Sequence, residues 1–315
     1  MILRWGERGK QALERLKNAL GRVESAWRPA NSDESFEIVR RRLFERLSPQ
    51  HYPLRDAVIK AFIDLYQENK SEFPNFTRDF DYKKKFEAAY PLHPEVFDKL
   101  YNDWSSLAKF QRTRGVLRLM AAVIRILWES QDKHLLIMPA MIPVAEVQAE
   151  LTRYLEDNWL PVIDKDIDGP NALPLKLDRD NSNLGRYSAC RRVARTLYLG
   201  SAPKLTSENK GIPAEVIRLG CVQPGETVSI FSDALRRLAD QASHIYVNAE
   251  RYWYDTHPSV SRLAQDRAVS LSEDSVEQEC LRRLKEFVKP RGDFERVYLA
   301  PSSSADIPNE RNWAS

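Results

Sequence analysis

The sequence predicts a mainly α-helical protein with one small β-hairpin in its C-terminal half. Apolar residues recur at helical spacing through residues 36–130, and no alternating β pattern interrupts them. Further on, short helical segments precede two β-rich runs, HIYV and RYWYD, which Asn248, Ala249 and Glu250 separate. Such a separation is typical of a hairpin. Short helices followed by a hairpin is the order of elements in a winged helix-turn-helix, and we predict that domain here.

Composition indicates a globular protein without a membrane partner. Hydrophobic residues make up 43% of the 315 positions and charged residues 30%, which is ordinary for a folded chain. The 48 basic and 45 acidic side chains nearly balance, so a protein that coats nucleic acid along its whole surface is excluded. The three cysteines have no metal-ligand spacing, the N-terminus is charged from its fourth residue, and Arg125 breaks the longest apolar run. We therefore expect a soluble, cytoplasmic protein.

The first unit, predicted over 36–142, consists of helices with short connections. Asn31 and Glu34 resemble a capping box, and Pro94 occupies a first-turn position, where its missing N–H costs nothing. Helices are predicted at 11–20, 36–47, 54–68, 94–107 and 110–130.

The second unit, predicted over 143–270, carries the winged-helix pattern, and 271–315 forms a third segment. The third segment has a helix at 277–288 and a buried strand in ERVYLAP, which predicts the start of a further α/β domain. The second unit has helices at 147–158 and 188–198, a short helix in GIPAEVIRLGCV, a longer one in QPGETVSIFSDALRRLADQAS, and then the hairpin.

The helix at 110–130 carries more arginines than folding requires. Arg114, Arg118 and Arg125 lie on one stripe, because steps of four and seven residues return to nearly the same angle. One interpretation is a solvated face on which Arg125 pairs with Glu129. The other is anion recognition, since a guanidinium forks onto phosphate oxygens.

The segment GVLR, from Gly115 to Arg118, resembles the sensor-2 motif (Gly-x-x-Arg) of AAA+ ATPases in the branch that includes replication initiators. The resemblance implies that 36–142 is a helical lid and that Arg118 contacts the phosphates of ATP, with Arg114 and Gly115 beside it. It also implies ATP and Mg²⁺ as cofactors of a longer parent protein.

The segment GRVESAWRPANSDESFEIVRRRLFERL is similar to the AAA+ segment that joins the nucleotide-binding core to the lid. The similarity makes 1–35 the C-terminal edge of the core and puts Arg22 where an arginine finger can act on a neighbouring subunit, which implies a homo-oligomer through the core. The alternative is that Arg22 lies at a helix end and caps its free carbonyl groups.

Five phrases resemble the large predicted ATPases of domain-of-unknown-function family 499, in the order of that family. They spread over about residues 20–270, and relatives of that family resemble phage-defence ATPases encoded beside DNA methyltransferases. The resemblance implies a defence role for the parent. The phrases are SFEIVRRRLFERL, YPLHPEVFDKLY, FQRTRGVLRLMA, PVIDKDIDG and RYWYDTHPSVSRLAQDRA.

The chain lacks the parts that hydrolyse ATP. It has no G-x-x-x-x-G-K-[ST] loop to cradle phosphates and no apolar strand that ends in paired acids to hold magnesium. We therefore expect the chain to be inactive alone and to need no cofactor by itself, as a fragment of a longer protein or a degenerate relative.

The predicted winged helix supplies candidate nucleic-acid contacts. A recognition helix contacts the groove or the phosphates, and its first helix often borders phosphates. Asp233 and Asp240 on the recognition helix weaken this case, so a non-enzymatic DNA-binding adaptor and a protein-interaction module remain alternatives to the ATPase region. The candidates are Arg191, Arg192, Arg236, Arg237, Gln241 and Arg251.

The run DKDIDG imitates the start of an EF-hand calcium loop. Its acids stand at positions one, three and five and its glycine at six, but position twelve is Leu175 instead of a bidentate glutamate. We expect an acidic turn and no metal site. No serine or cysteine lies in a nucleophile elbow, which argues against a hydrolase.

Overall fold

A computed structural model describes residues 32–107, 109–110, 112–155, 158–204 and 210–287, together with 301, 303 and 307. Of residues 32–36, 112, 261, 265, 266 and 287 it describes the backbone alone. Arg22, the helix predicted at 11–20, Asn31 of the predicted capping box and all but the last residue of ERVYLAP lie outside the described residues.

The protein is mainly helical, as predicted, and it divides into two compact units, Met1–His257 and Pro258–Ser315. The described α-helices of the first unit are α1 (Ser32–Leu43), α2 (Tyr52–Glu68), α3 (Phe80–Ala89), α4 (Pro94–Asp98), α5 (Arg112–Glu129), α6 (Gln148–Thr152), α7 (Trp159–Val162), α8 (Leu173–Asp180), α9 (Ser182–Gly185), α10 (Ala189–Ser201), α11 (Ala214–Leu219) and α12 (Val228–Gln241).

The segment predicted as one helix over 94–107 changes its winding twice. Pro94 lies in the first turn of α4, and the His93 ring caps it by accepting a hydrogen bond from the Glu95 N–H at 3.2 Å. A π-helical turn, Lys99–Asp103, and a 3₁₀ turn, Trp104–Ser106, continue the segment. Apolar spacing does not distinguish these windings, because all three return side chains to the core every three to five residues.

Short helices account for most of the differences from prediction. The helix predicted at 147–158 ends at Thr152, and α7 begins at Trp159 as a separate turn. Helices α3, α8 and α9, of ten, eight and four residues, were not predicted. Helices this short are set by tertiary packing more than by their own pattern.

The predicted hairpin is confirmed, and a third strand joins it. Strands β2 (Ile245–Asn248) and β3 (Arg251–Tyr254) are antiparallel, with Tyr246 opposite Trp253. Ala249 and Glu250 form the two-residue turn with φ of 46° and 65°, the left-handed conformation that tight hairpins use. Strand β1 (Ile212–Pro213) pairs with β3 on its other edge, so the strand order is β1-β3-β2. A two-residue strand leaves no alternation to detect in a sequence.

The core of the first unit is continuous across the boundary predicted at 142/143. The buried Trp104 donates its indole N–H to the Leu199 carbonyl at 2.8 Å, and the Ala140 N–H donates to the Gly220 carbonyl at 3.1 Å. Apolar side chains from Val39 to Tyr254 form one buried cluster. The helical part and the three-stranded part therefore pack as one body.

The second unit contains α13 (Val260–Val269) and α14 (Glu273–Phe287) among its described residues. Helix α14 begins four residues before the helix predicted at 277–288 and includes its residues 277–287, whereas α13 was not predicted. Glu279 pairs with Arg282 and Arg283 along the exposed side of α14. Within the described part of the chain, no helix has the length and apolar character needed to cross a membrane.

Candidate functional site

The arginine stripe of α5 faces solvent in the structure. Arg114, Arg118 and Arg125 are exposed, and Trp128, 77% exposed, continues their stripe at the end of the helix. The opposite side of α5 is buried in the core. Gly115 lies against the buried Phe110, whose ring is 3.0 Å from the position that a Cβ at residue 115 would take. The small residue therefore lets the first turn of α5 approach the core.

Two of the three stripe arginines have a carboxylate partner. Arg118 Nε lies 2.7 Å from Glu150 Oε2 on α6, and its Nη2 donates to Oε1 at 3.2 Å. Arg125 pairs with Glu129 one turn on at 3.9 Å, the pairing expected for a solvated face. Arg114 makes no ion pair with any described residue. Arg118 must therefore exchange Glu150 for any phosphate that it contacts.

Arg191 points into an internal ion-pair cluster. Its Nε donates to Asp168 Oδ1 at 2.6 Å, and Arg195 Nη2 lies 2.8 Å from Asp168 Oδ2. The Asp168 side chain is fully buried and also accepts the Ala145 N–H at 3.1 Å. This carboxylate thus connects α10 to the segment before α6 and occupies the Nε of Arg191, whose side chain is 34% exposed.

Arg192 is also held inside the protein. It is 8% exposed, and its Nη1 donates to both carboxylate oxygens of Glu226 at 2.7 and 2.8 Å. Its Nη2 donates to His134 Nε2 at 3.2 Å, which leaves His134 Nδ1 to donate to Asp132 at 2.8 Å. A DNA contact by Arg192 would break this chain of partners.

The exposed face of α12 and the hairpin offer few unneutralised charges. Arg236 and Arg237 share Asp233, and hydrogen bonds, first from Arg237 and then from Arg236, lower the pKa of that carboxyl. Gln241 is exposed at the end of α12. Arg251 donates to the Lys210 and Gly211 carbonyls at 3.0 and 2.5 Å, so it anchors β3 to the segment before β1.

The acids of DKDIDG have three different environments. Asp164 is exposed, Asp168 holds the arginines of α10, and Asp166 accepts from the N–H and ring Nδ1 of His244 at 2.8 and 2.7 Å. No group of three metal-ligating side chains occurs within the described ranges. Gly169 is required by the turn, because a Cβ there would lie 2.2 Å from the Asp164 carbonyl oxygen.

A family model described as the DUF499 second domain matches residues 30–216, more than half of the chain. The chain belongs to the DUF499 family. The match runs from before α1 into the first three residues of α11 and includes four of the five phrases that resemble this family, so the similarity reaches from the arginine helix into the three-stranded part. No curated protein and no solved structure matches the chain.

In this DUF499 domain a carboxylate from another helix caps the first turn of α10, and sequence reasoning missed it. Asp178 accepts the N–H groups of Cys190 and Arg191 at 2.9 and 3.0 Å, which satisfies two free donors of the first turn. Burial raises the pKa of Asp178, and these N–H groups oppose the shift. The cap comes from another helix, twelve residues away, and no local capping pattern reveals it.

The buried thiols Cys190 and Cys221 are not set up as nucleophiles. Burial raises the pKa of Cys190, with Asp178 adding to the effect, and burial likewise raises the pKa of Cys221. A nucleophilic cysteine needs the opposite shift. This agrees with the absence of a nucleophile elbow from the sequence.

Proposed function

We propose that this chain is the lid and winged-helix region of a larger AAA+-like ATPase and couples the nucleotide state of that enzyme to a partner protein. The observation that carries the proposal is an order of elements. A helical body whose α5 begins with Gly-x-x-Arg precedes α10-β1-α11-α12-β2-β3.

The winged-helix part of the proposal rests on topology. A winged helix has one helix, a short strand, two further helices and a hairpin, with the short strand pairing beside the hairpin. The sheet order β1-β3-β2 matches that plan. In this assignment α12 is the recognition helix and the turn at Ala249 and Glu250 is the wing.

The lid part of the proposal rests on α5. Its exposed stripe of arginines and the exposed Trp128 form a surface suited to an anionic ligand and to a neighbouring domain. In the proposed cycle Arg118 leaves Glu150 and binds a phosphate oxygen of ATP held by the parent's core. After hydrolysis it returns to Glu150, and the lid moves with the attached winged helix as a rigid body. ATP and Mg²⁺ are therefore assigned to the parent.

The charge arrangement favours a protein partner over DNA. Binding to a phosphate backbone relies on cations that are free to replace counterions. Arg191 and Arg192 are in internal ion pairs, Arg236 and Arg237 share Asp233, and Arg251 donates to backbone carbonyls.

The remaining parts of the proposal rest on the sequence. The family likeness supports a defence role and assembly through Arg22, and the composition supports a cytoplasmic location.

The test of the sensor assignment is Arg118→Ala in the full-length parent. Loss of one charged hydrogen bond to phosphate corresponds to about 1.5–3 kcal/mol, so ATP turnover should fall about tenfold to a hundredfold. Arg125→Ala, two turns further along the same stripe, is the matched control and should keep more than half of the turnover. If the Arg118→Ala variant hydrolyses ATP at the wild-type rate, Arg118 does not act in the mechanism.

The adaptor alternative is tested by titrating the chain with duplex DNA at several salt concentrations. An adaptor that contacts several phosphates would lose affinity steeply, by about one log-log unit for each phosphate contacted. We expect weak binding with a shallow slope. Submicromolar affinity at physiological salt with a steep slope would favour the DNA-binding adaptor instead.

A further inference from the structure

A cavity of about 410 Å³ opens between the C-terminal end of α5 and the first turns of α10. Side chains from both helices, and from the segments before α6 and α10, form its wall. The lining residues used below are Arg186, Arg191, Arg195, Leu127, Met141 and Tyr187. The volume is in the range of small-molecule sites.

The cationic side of this cavity has more positive than negative charge. Arg191 and Arg195 share the single carboxylate of Asp168. Arg186 is exposed, lies over the Tyr187 ring at 5.2 Å, and makes no ion pair with a described residue. Glu146, at the exposed rim, is the one further acid near these three arginines within the described lining.

The other acids of the wall are already used. Glu226 holds Arg192, and Asp132 accepts from the His134 ring. His134 Nε2 accepts from Arg192, so the imidazole does not serve as an acceptor for the remaining arginines. Arg186, Arg191 and Arg195 therefore face two acids, Asp168 and Glu146, while Arg192 is paired with Glu226 and Asp132 keeps its charge beside the imidazole.

One donor of the lining residue Arg195 has no acceptor. Arg195 Nε is buried and makes no hydrogen bond with any described residue. Burial lowers the pKa of the Arg195 guanidinium, while Asp168 opposes that shift. A buried donor left unpaired is unfavourable. An oxyanion beside Arg195 would supply an acceptor and a countercharge together.

Apolar side chains line part of the same cavity. Leu127 from the last turns of α5, Met141 and the ring of Tyr187 line it. Tyr187 is itself stacked on Phe231, with ring centroids 6.0 Å apart and planes 17° from parallel, so its position is fixed by the core. A ligand that fits this wall has an apolar or aromatic body.

We infer that this cavity binds a small organic anion whose phosphate or carboxylate group is held by Arg186, Arg191 and Arg195 and whose apolar body packs on Leu127 and Tyr187. Arginine side chains, one of which has a buried unpaired donor, and apolar side chains line the same cavity. The site lies between α5 and α10, so a bound anion links the two helices. This inference is independent of the proposed ATPase role.

The test measures binding of phenyl phosphate, benzoate and inorganic phosphate to the 315-residue chain by calorimetry and by thermal unfolding. At least one aromatic anion should bind saturably and raise the Tm, and inorganic phosphate should bind more weakly because it lacks the apolar body. Tighter binding of phenyl phosphate assigns a phosphate head group, and tighter binding of benzoate assigns a carboxylate.

Variants locate the binding. Arg186→Ala should weaken it about tenfold, the loss of one charge-assisted hydrogen bond. Arg191→Gln should weaken it as well. Arg179→Ala removes an exposed arginine of α8 that does not line the cavity, and it should bind as wild type does. Absence of binding at millimolar concentration, or equal binding by all three variants, would overturn the inference.

Discussion

Arg118 Nε lies 2.7 Å from Glu150 Oε2, and this ion pair joins the long arginine helix to α6 across thirty-two residues of sequence. The Arg118 side chain is 50% exposed and that of Glu150 is 22% exposed. Half-exposed pairs contribute little to stability, because water screens them and two long side chains must be ordered. Glu150 is therefore a counterion that Arg118 can exchange for a stronger anion.

Arg118→Ala should lower the free energy of unfolding of the chain by less than about 1 kcal/mol. Urea denaturation measures the change, and Arg114→Ala, which removes no described ion pair, is the control. A loss several times larger would show that the pair is structural. In that case reduced turnover of the same variant in the parent would not identify a sensor.

Asp168→Asn should lower the free energy of unfolding by about 3 kcal/mol, because it leaves Arg191 and Arg195 beside a buried group that no longer carries charge. Asp164→Asn changes an exposed acid in the same hexapeptide and should cost less than about 0.5 kcal/mol. Urea denaturation separates the two. Equal small losses would mean that the buried cluster does not hold α10 in place.

Gly169→Ala should be destabilising by about 1–3 kcal/mol, since the added Cβ would lie 2.2 Å from the Asp164 carbonyl oxygen and the turn must open. Asp164→Ala keeps that carbonyl and should have almost no effect. Thermal unfolding of both variants checks the prediction.

If added calcium raises the Tm of the wild type but not of Asp164→Ala, the DKDIDG segment is a cation site.

The buried His93 should make stability depend on pH. Burial, and then Lys99 and Lys85, lower the pKa of His93 from 6.5 to about 3. As pH falls below 6.5, His93 takes up a proton in the unfolded chain but stays neutral in the folded chain. The contribution of His93 to stability therefore falls by about 1.4 kcal/mol per pH unit between 6.5 and 3.

Urea denaturation at a series of pH values from 7 to about 5 measures this slope. His93→Gln should reduce this slope by about 1.4 kcal/mol per pH unit, the contribution of one proton, whatever its effect on stability at pH 7. The same substitution at exposed His51 is the control and should keep the wild-type slope. A His93→Gln slope equal to that of the wild type would show that His93 is protonated in the folded protein.

Sequence periodicity was sufficient for the long helices and the hairpin, and insufficient for the short elements. Helix α5 has enough turns for its apolar side to stand out, and two β-rich runs on either side of Ala249 and Glu250 mark β2 and β3. The two-residue β1 and the four-residue α9 give no such pattern. Their conformations depend on neighbours that are distant in sequence.

The sequence by itself determined that the protein is mainly helical and that α5 carries an arginine stripe along one side. Only the tertiary structure decided which of the charged residues are available. Arg191, Arg192 and Arg118 meet carboxylates 23, 34 and 32 residues away. Electrostatic interaction depends on distance in space and on burial, and neither can be read from the spacing of residues along one helix.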